Sequence, residues 1–189
     1  KSPAVPPDSV TSRWPTRCGG IISENQGKSF SIYGDLRSKF PLWENNICEL
    51  ENGTLLMLMR AEFAGVLFRS ISTDYGKTWS EPLPTNIPNP NSKISLCKIR
   101  DRIVLALNPT SPAEKTVFST RTNLSLWSSK DGMFWDKKIP LAKPDQPLFY
   151  PHLLPQDDKG QLYLVCENGV THYLMKIPYD DFLKEKDFC

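Results

Sequence analysis

The amino-acid sequence predicts an all-β fold made of β-propeller blades, with about three to four four-stranded antiparallel units in a row. Three observations predict it. From Phe30 onward, short apolar runs rich in β-branched and aromatic residues alternate with turn residues, and no stretch keeps a helical apolar period beyond two turns. The order of strands and turns then returns about every 50 residues, the length of a blade rather than of a helical solenoid repeat. The turn chemistry itself also repeats, at residues 72–79 and again at 129–135.

Length sets how many blades there can be. The chain has 189 residues, enough for one domain with a sizeable apolar core. Four strands of about 5 to 6 residues plus their turns occupy roughly 40 to 50 residues. Three or four such units therefore fit, which points to part of a propeller rather than a closed ring.

The elements can be justified in order. Residues 1–28 are expected to form a Pro-rich arm (Pro3, Pro6, Pro7, Pro15) and a lead-in strand, with the blades occupying residues 29–189. The first unit opens with strands at 47–50 and 54–60 around Glu51-Asn52-Gly53, whose Asn-Gly pair suits the positive φ angles of a tight hairpin. A third strand at 66–72, a turn at 74–77 and a fourth strand at 78–81 follow, then a Pro/Asn loop at 84–91. The second unit reads 94–99, 102–107, a long loop, 123–129, Asp131-Gly132 and 134–139. A third begins at 150–154 and continues through 162–166 and 172–177, with a short helix expected at 179–186.

Composition excludes several classes of function. Lys and Arg number 23 against 21 Asp and Glu, a formal net charge of +2. These charges are dispersed, with no basic block to track a phosphate backbone, so nucleic acid is excluded as an expected partner. No apolar stretch approaches the roughly 20 residues of a membrane span. The first residues lack a signal peptide's apolar run, so any targeting segment is expected upstream. Cys18, Cys48, Cys97, Cys166 and Cys189 are odd in number, widely spaced and without C-x-x-C pairs, and read as small buried hydrophobes. His152 and His172 read as structural or surface residues. No metal or other cofactor is expected.

Ser72-Thr73-Asp74-Tyr75-Gly76-Lys77-Thr78-Trp79 fits S-x-D-x-G-x-T-W at every fixed position. Asp74 can accept from the turn's own amides, Gly76 can take a positive φ, and Trp79 can pack beneath the hairpin. Ser129-Lys130-Asp131-Gly132-Met133-Phe134-Trp135 is a shortened copy with Phe134 where threonine is usual. Both resemble the Asp boxes of the sialidase (neuraminidase) superfamily and its BNR-type relatives. The resemblance implies part of a six-bladed sialidase-like propeller, and it implies a structural rather than a catalytic role for the boxes themselves.

The resemblance extends from about Trp43 to Glu167. Trp43-Glu44-Asn45-Asn46 and the hairpin ending at Arg60 are similar to the stretch in which sialidases carry a glutamate and a triad arginine. Asn108-Pro109 followed by Arg121-Thr122-Asn123 is similar to the segment of another triad arginine, and Phe149-Tyr150-Pro151-His152 to that of the nucleophilic tyrosine. The implied site has Tyr150 as nucleophile, Glu44 as its base, and Arg60 and Arg121 on a substrate carboxylate. The residue types suit one another. Two guanidinium groups hold a carboxylate by bidentate, charge-assisted bonds, and a neutral phenol approaches that anion without the repulsion a carboxylate nucleophile would meet.

Sialidases also carry a first triad arginine and an aspartate acid in their N-terminal blades. Neither has a counterpart here, so the resemblance implies the C-terminal half of the propeller. The implied function is hydrolysis of terminal sialic acids by an exo-α-sialidase-type enzyme, incomplete in this chain. The alternative is a non-catalytic Asp-box propeller module that binds glycan or protein. Expected partners are a sialylated glycan or other acidic sugar, and an N-terminal half or a second copy meeting open sheet edges. The compartment stays open, with an extracellular or cell-surface setting favoured.

Overall fold

A computed structural model describes residues 17–51, 53–110 and 121–183. The proline-rich arm over residues 1–16, Asn52, most of the long loop of the second unit, the end of the expected tail helix and Cys189 lie outside these. Within them the chain is all-β apart from one 3-10 turn and one five-residue helix, α1 (Tyr179–Leu183).

The strands form four antiparallel sheets in chain order. β1 (Cys18–Ile22) pairs with β2 (Ser31–Leu36). β3 (Leu42–Glu49), β4 (Leu55–Ala61), β5 (Val66–Ser72) and β6 (Leu83–Pro88) make a four-stranded meander. β7 (Ser95–Ile99), β8 (Arg102–Leu107), β9 (Ser125–Ser129) and β10 (Trp135–Pro140) make a second, and β11 (Phe149–Gln156), β12 (Gln161–Glu167) and β13 (His172–Pro178) a three-stranded third. Consecutive meanders whose faces pack on one another are blades.

The central strands show why. β4 and β8 are buried along almost their whole length, so both faces of each must be covered by a neighbouring sheet, and apart from Arg60 and Arg102 their text is continuously apolar rather than alternating. Leu56 and Leu58 of β4 meet Ile103, Leu105 and Leu107 of β8 in one core. Met57, Met59 and Ala61 face the other way, toward Cys18 and Leu36 of the first hairpin. Val104 and Ala106 pack with Leu162, Leu164 and Cys166 of β12 and with Tyr179 and Phe182 of α1. Cys18, Cys48 and Cys166 are buried and unpaired, as small hydrophobes are; burial pushes the Cys18 and Cys48 thiols up to about 11.

Side chains also stitch the first strands of successive sheets together. Asn45 Nδ2 donates to the Gly19 carbonyl at 3.0 Å, the Leu96 amide donates to Asn46 Oδ1 at 3.1 Å, and the Leu153 amide to Ser95 Oγ at 3.0 Å.

One strand differs from expectation. The fourth strand of the first meander is β6 at Leu83–Pro88, not residues 78–81. Asp74 explains part of this, because its carboxylate accepts from the Thr78 amide at 2.8 Å and the Thr78 hydroxyl at 2.6 Å and keeps Thr78 in the turn. Prolines 84 and 88 explain the rest. They read as a loop, yet β6 pairs only with β5, and an edge strand tolerates residues that lack an amide donor.

The turns after β5 and β9 occupy the same place in the two meanders. Ser72 Oγ accepts from the Gly76 amide and donates to Asp74 Oδ1, both at 2.8 Å. In the second, Ser129 Oγ accepts from the Gly132 amide at 2.8 Å and donates to Asp131 Oδ1 at 2.9 Å, while Asp131 Oδ1 accepts from the amides of Met133 and Phe134 at 2.7 and 2.8 Å. Each turn leans on the preceding sheet: Trp79 joins the core of the first hairpin and Trp135 the core between the two meanders.

Candidate functional site

At the end of the sheets opposite those turns, two first strands are kinked in the same way. In β3 the register passes from Leu42↔Ala61 to Asn45↔Met59, so Trp43 and Glu44 together oppose the single residue Arg60. In β11 it passes from Phe149↔Glu167 to His152↔Val165, so Tyr150 and Pro151 together oppose Cys166. Such bulges re-aim side chains at the rim of a sheet. Tyr150 takes φ 55° to do so, a left-handed conformation unusual for a bulky residue.

These kinks bring Glu44 to Arg60 and Tyr150 to Arg121. Arg60 Nη1 donates to both Glu44 oxygens at 3.0 Å, and the Arg60 guanidinium lies 5.8 Å from the Trp43 ring. Arg121 Nη1 donates to the Tyr150 hydroxyl at 3.1 Å, with its guanidinium 4.9 Å from the Tyr150 ring and 5.7 Å from that of Phe149. Both arginines are buried, at 8% and 4% exposure, whereas the Glu44 side chain is 39% exposed. A guanidinium held at such depth can meet an anion in a medium that screens it little.

Asn91, in the loop between β6 and β7, joins the two pairs. Arg60 Nε donates to its side-chain oxygen, and Arg121 Nη2 donates to its backbone carbonyl at 2.9 Å. Glu62 closes the group from behind, accepting from Trp43 Nε1 at 2.8 Å and from Asn91 Nδ2 at 3.3 Å. Lys93 stands two residues on, its ammonium 2.7 Å from His152 Nε2 and donating to the Pro151 carbonyl at 3.4 Å. Burial holds the Lys93 pKa below that of an ordinary lysine, against the pull of Glu44. Burial first, then the Lys93 charge, lowers that of His152.

All four residues singled out in the sequence thus lie in one linked group. Among the described residues no hydrogen bond joins Tyr150 to Glu44; each is held by an arginine instead. The residues not foreseen are Asn91, Glu62 and Lys93, with His152 drawn in by Lys93. Asn91 sat in a proline-rich loop and Glu62 just beyond a strand end, where sequence spacing carries no trace of a partner so far along the chain.

The model of the BNR repeat-like domain matches residues 42–164. Among solved structures, the Hadza microbial sialidase Hz136 superposes with a TM-score of 0.72, is 19% identical, and aligns over 88% of this chain and 33% of its own. The intramolecular trans-sialidase from Ruminococcus gnavus gives 0.70, 19%, 87% and 38%. A mutant Trypanosoma rangeli sialidase displaying trans-sialidase activity gives 0.65, 21%, 86% and 27%. No curated protein matches the chain. The chain spans about a third of the length of these solved structures, and at these identities the likeness shows their fold. With the family model matching well over half of its length, the chain belongs to the BNR repeat-like domain family and has a sialidase-like propeller fold.

Proposed function

We propose that this chain carries the arginine, tyrosine and glutamate side of a sialidase-type site that hydrolyses terminal sialic acids, with retention at the anomeric carbon. The observation that carries the reading is convergence. Glu44, Arg60, Arg121 and Tyr150 come from segments far apart in the chain, and all are linked through Asn91 or through each other. On this reading Arg60 and Arg121 bind the sugar carboxylate. Tyr150 Oη attacks the anomeric carbon, the bond to the departing sugar oxygen breaks, and Glu44 takes the phenol proton. Arg121 offsets negative charge on that phenol oxygen as its proton departs.

The same reading accounts for the resting pairing. A sugar carboxylate arriving at Arg60 competes with Glu44 for its nitrogens, and a Glu44 so released is the base Tyr150 needs. The proton for the departing oxygen comes, by the resemblance, from an aspartate for which this sequence offers no counterpart. The two serine–aspartate turns are read as Asp boxes and stand outside the chemistry.

A second reading is favoured by one specific observation. Glu44 bonds to Arg60 rather than to Tyr150, which suits a non-catalytic propeller module whose arginines bind an acidic glycan. Release of sialic acid from a fluorogenic sialoside by the intact protein separates the two. Turnover that is lost in both Tyr150→Phe and Arg121→Ala supports the hydrolase. Saturable binding of N-acetylneuraminic acid without turnover, lost in Arg121→Ala, supports the binding module. Neither turnover nor binding by folded protein would sink both.

A further inference from the structure

We propose that Asn91 is the positioning residue of this site: it fixes the two arginines relative to each other for an acidic sugar, and is itself aimed by Glu62 and by a buried polar chain. The inference rests on the acidic-sugar reading above and adds the element that makes two separate arginines into one receptor.

Asn91 meets three partners with three different groups. Its side-chain oxygen accepts from Arg60 Nε, its backbone carbonyl accepts from Arg121 Nη2, and its Nδ2 donates to Glu62 Oε1. The partners themselves determine which way the amide points. Reversed, it would set a donor against the Arg60 Nε–H and an acceptor against the Glu62 carboxylate, so only one orientation is satisfied. The backbone stands at φ 61°, a conformation asparagine adopts more readily than most residues. Arg60 uses Nε and Nη1 on Asn91 and Glu44, which leaves Nη2 to meet a ligand. A neutral amide does this without adding a negative charge that would repel the sugar carboxylate.

The loop beneath Asn91 is built to stay in place. Asn89, Ser92 and Asn108 are 1%, 0% and 0% exposed. Asn89 donates to the Ser92 carbonyl at 2.9 Å and accepts from the Ser92 amide at 3.0 Å, closing a ring around Asn91. Ser92 Oγ donates to Asn108 Oδ1 at 2.9 Å. Asn108 Nδ2 then donates to the carbonyls of Thr122 and Leu148, at 3.0 and 2.8 Å. Thr122 follows Arg121, and Leu148 lies two residues before Tyr150. One satisfied buried network therefore ties together the two loops that carry Asn91 and Arg121 and the segment that leads into Tyr150, and such a network rigidifies what it joins.

The test uses Asn91→Gly and Asn91→Asp in the intact protein. Glycine keeps the left-handed backbone and the carbonyl to Arg121 while removing the amide; aspartate keeps an acceptor for Arg60 but sets a carboxylate against Glu62. Two readouts are followed: the NMR signal of the Arg60 Nε–H group, and KM and kcat for a fluorogenic sialoside together with the Kd of N-acetylneuraminic acid. In Asn91→Gly the Arg60 signal is expected to move and to exchange faster with water. KM and Kd are expected to rise on the order of 10-fold to 100-fold, with kcat falling less. Asn91→Asp is expected to keep the Arg60 signal protected while weakening sugar affinity through its charge. An Arg60 signal unchanged in Asn91→Gly would overturn the positioning role whatever the sugar does, and so would unchanged KM and Kd in a wild type that binds sugar. A wild type that binds no sialic acid, with the Arg60 signal still shifted by Asn91→Gly, overturns the sugar receptor and leaves only the link between Asn91 and Arg60.

Discussion

The two ends of the sheets are held together by opposite means. At one end, each serine–aspartate turn closes through contacts two to four residues apart, as when Asp74 reaches Thr78 and Ser72 reaches Gly76. At the other, the partners lie far apart in the chain: Glu44 with Arg60, Arg60 with Asn91, Arg121 with Tyr150. A local turn tolerates editing. Residues 129–135 have lost one residue and the threonine, yet Asp131 still accepts from two amides. The distant cluster has no such slack, because each arginine depends on loops set by other sheets.

The largest expected effect would break this contrast if it appeared at the wrong end. If the intact protein turns over sialosides, Tyr150→Phe lowers kcat on the order of 10³-fold or more, whereas Asp74→Ala leaves kcat unchanged while lowering the melting temperature. Loss of turnover from the Asp74 change in a protein that remains folded would remove the division between the two ends.

Next come the tryptophans that seat the turns. Trp135 is 7% exposed within the core between the meanders, and Trp135→Ala is expected to cost about 3 to 5 kcal/mol in urea unfolding. Trp79 is only half-buried, so Trp79→Ala costs less, and equal losses would refute the difference in seating.

Glycines sharpen the comparison further. Gly132 has φ 74°, and a Cβ there would lie 2.7 Å from Leu56 Cδ2 in the core; Gly132→Ala should cost about 2 to 3 kcal/mol. Gly160 has φ 58° with nothing within 4 Å of an added Cβ, and Gly160→Ala should cost only the backbone term, about 1 kcal/mol.

The smallest effect is a pH dependence. Hydrogen bonds from the Thr78 hydroxyl, then from the Thr78 amide and the Ser72 hydroxyl, hold the Asp74 carboxyl down to about 2. A group depressed in the folded state stabilises it above the ordinary carboxylate pKa and loses that contribution as the pH falls through the folded value. Stability should therefore decline between about pH 4 and pH 2 by an amount that Asp74→Asn removes. The Asp131 carboxyl is lowered as well, chiefly by the amides of Phe134 and Met133, so Asp131→Asn should flatten the same limb.

How much could be read from the sequence follows the same division. Asp74, Gly76 and Trp79 state their turn within eight residues, and the apolar runs at 54–60 and 102–107 mark β4 and β8 as strands. Glu44, Arg60, Arg121 and Tyr150 could be picked out only because their neighbourhoods resemble a family, and the hydrogen bonds of Glu44 to Arg60 and of Arg121 to Tyr150 join strands and loops that no local spacing relates. Asn91 was out of reach. Its partners at Arg60, Arg121 and Glu62 are fixed by the stacking of sheets, and a loop asparagine that follows a proline looks like any other turn residue. Residues 78–81 were misread because a strand was expected directly after the turn, whereas Asp74 holds Thr78 within it.

The prolines that hid β6 also settle how wide a blade can grow. β6 ends in Ile87-Pro88, β10 in Ile139-Pro140 and β13 in Ile177-Pro178, and among the described residues each is the outermost strand of its sheet. A strand that finishes on a residue with no amide hydrogen is a poor template for the next one. Pro84 and the lysines at 137 and 138 blunt the first two rims further. Growth by accretion is arrested at the outer edge, so further chain is steered to stacking against a face, the way these sheets already meet one another.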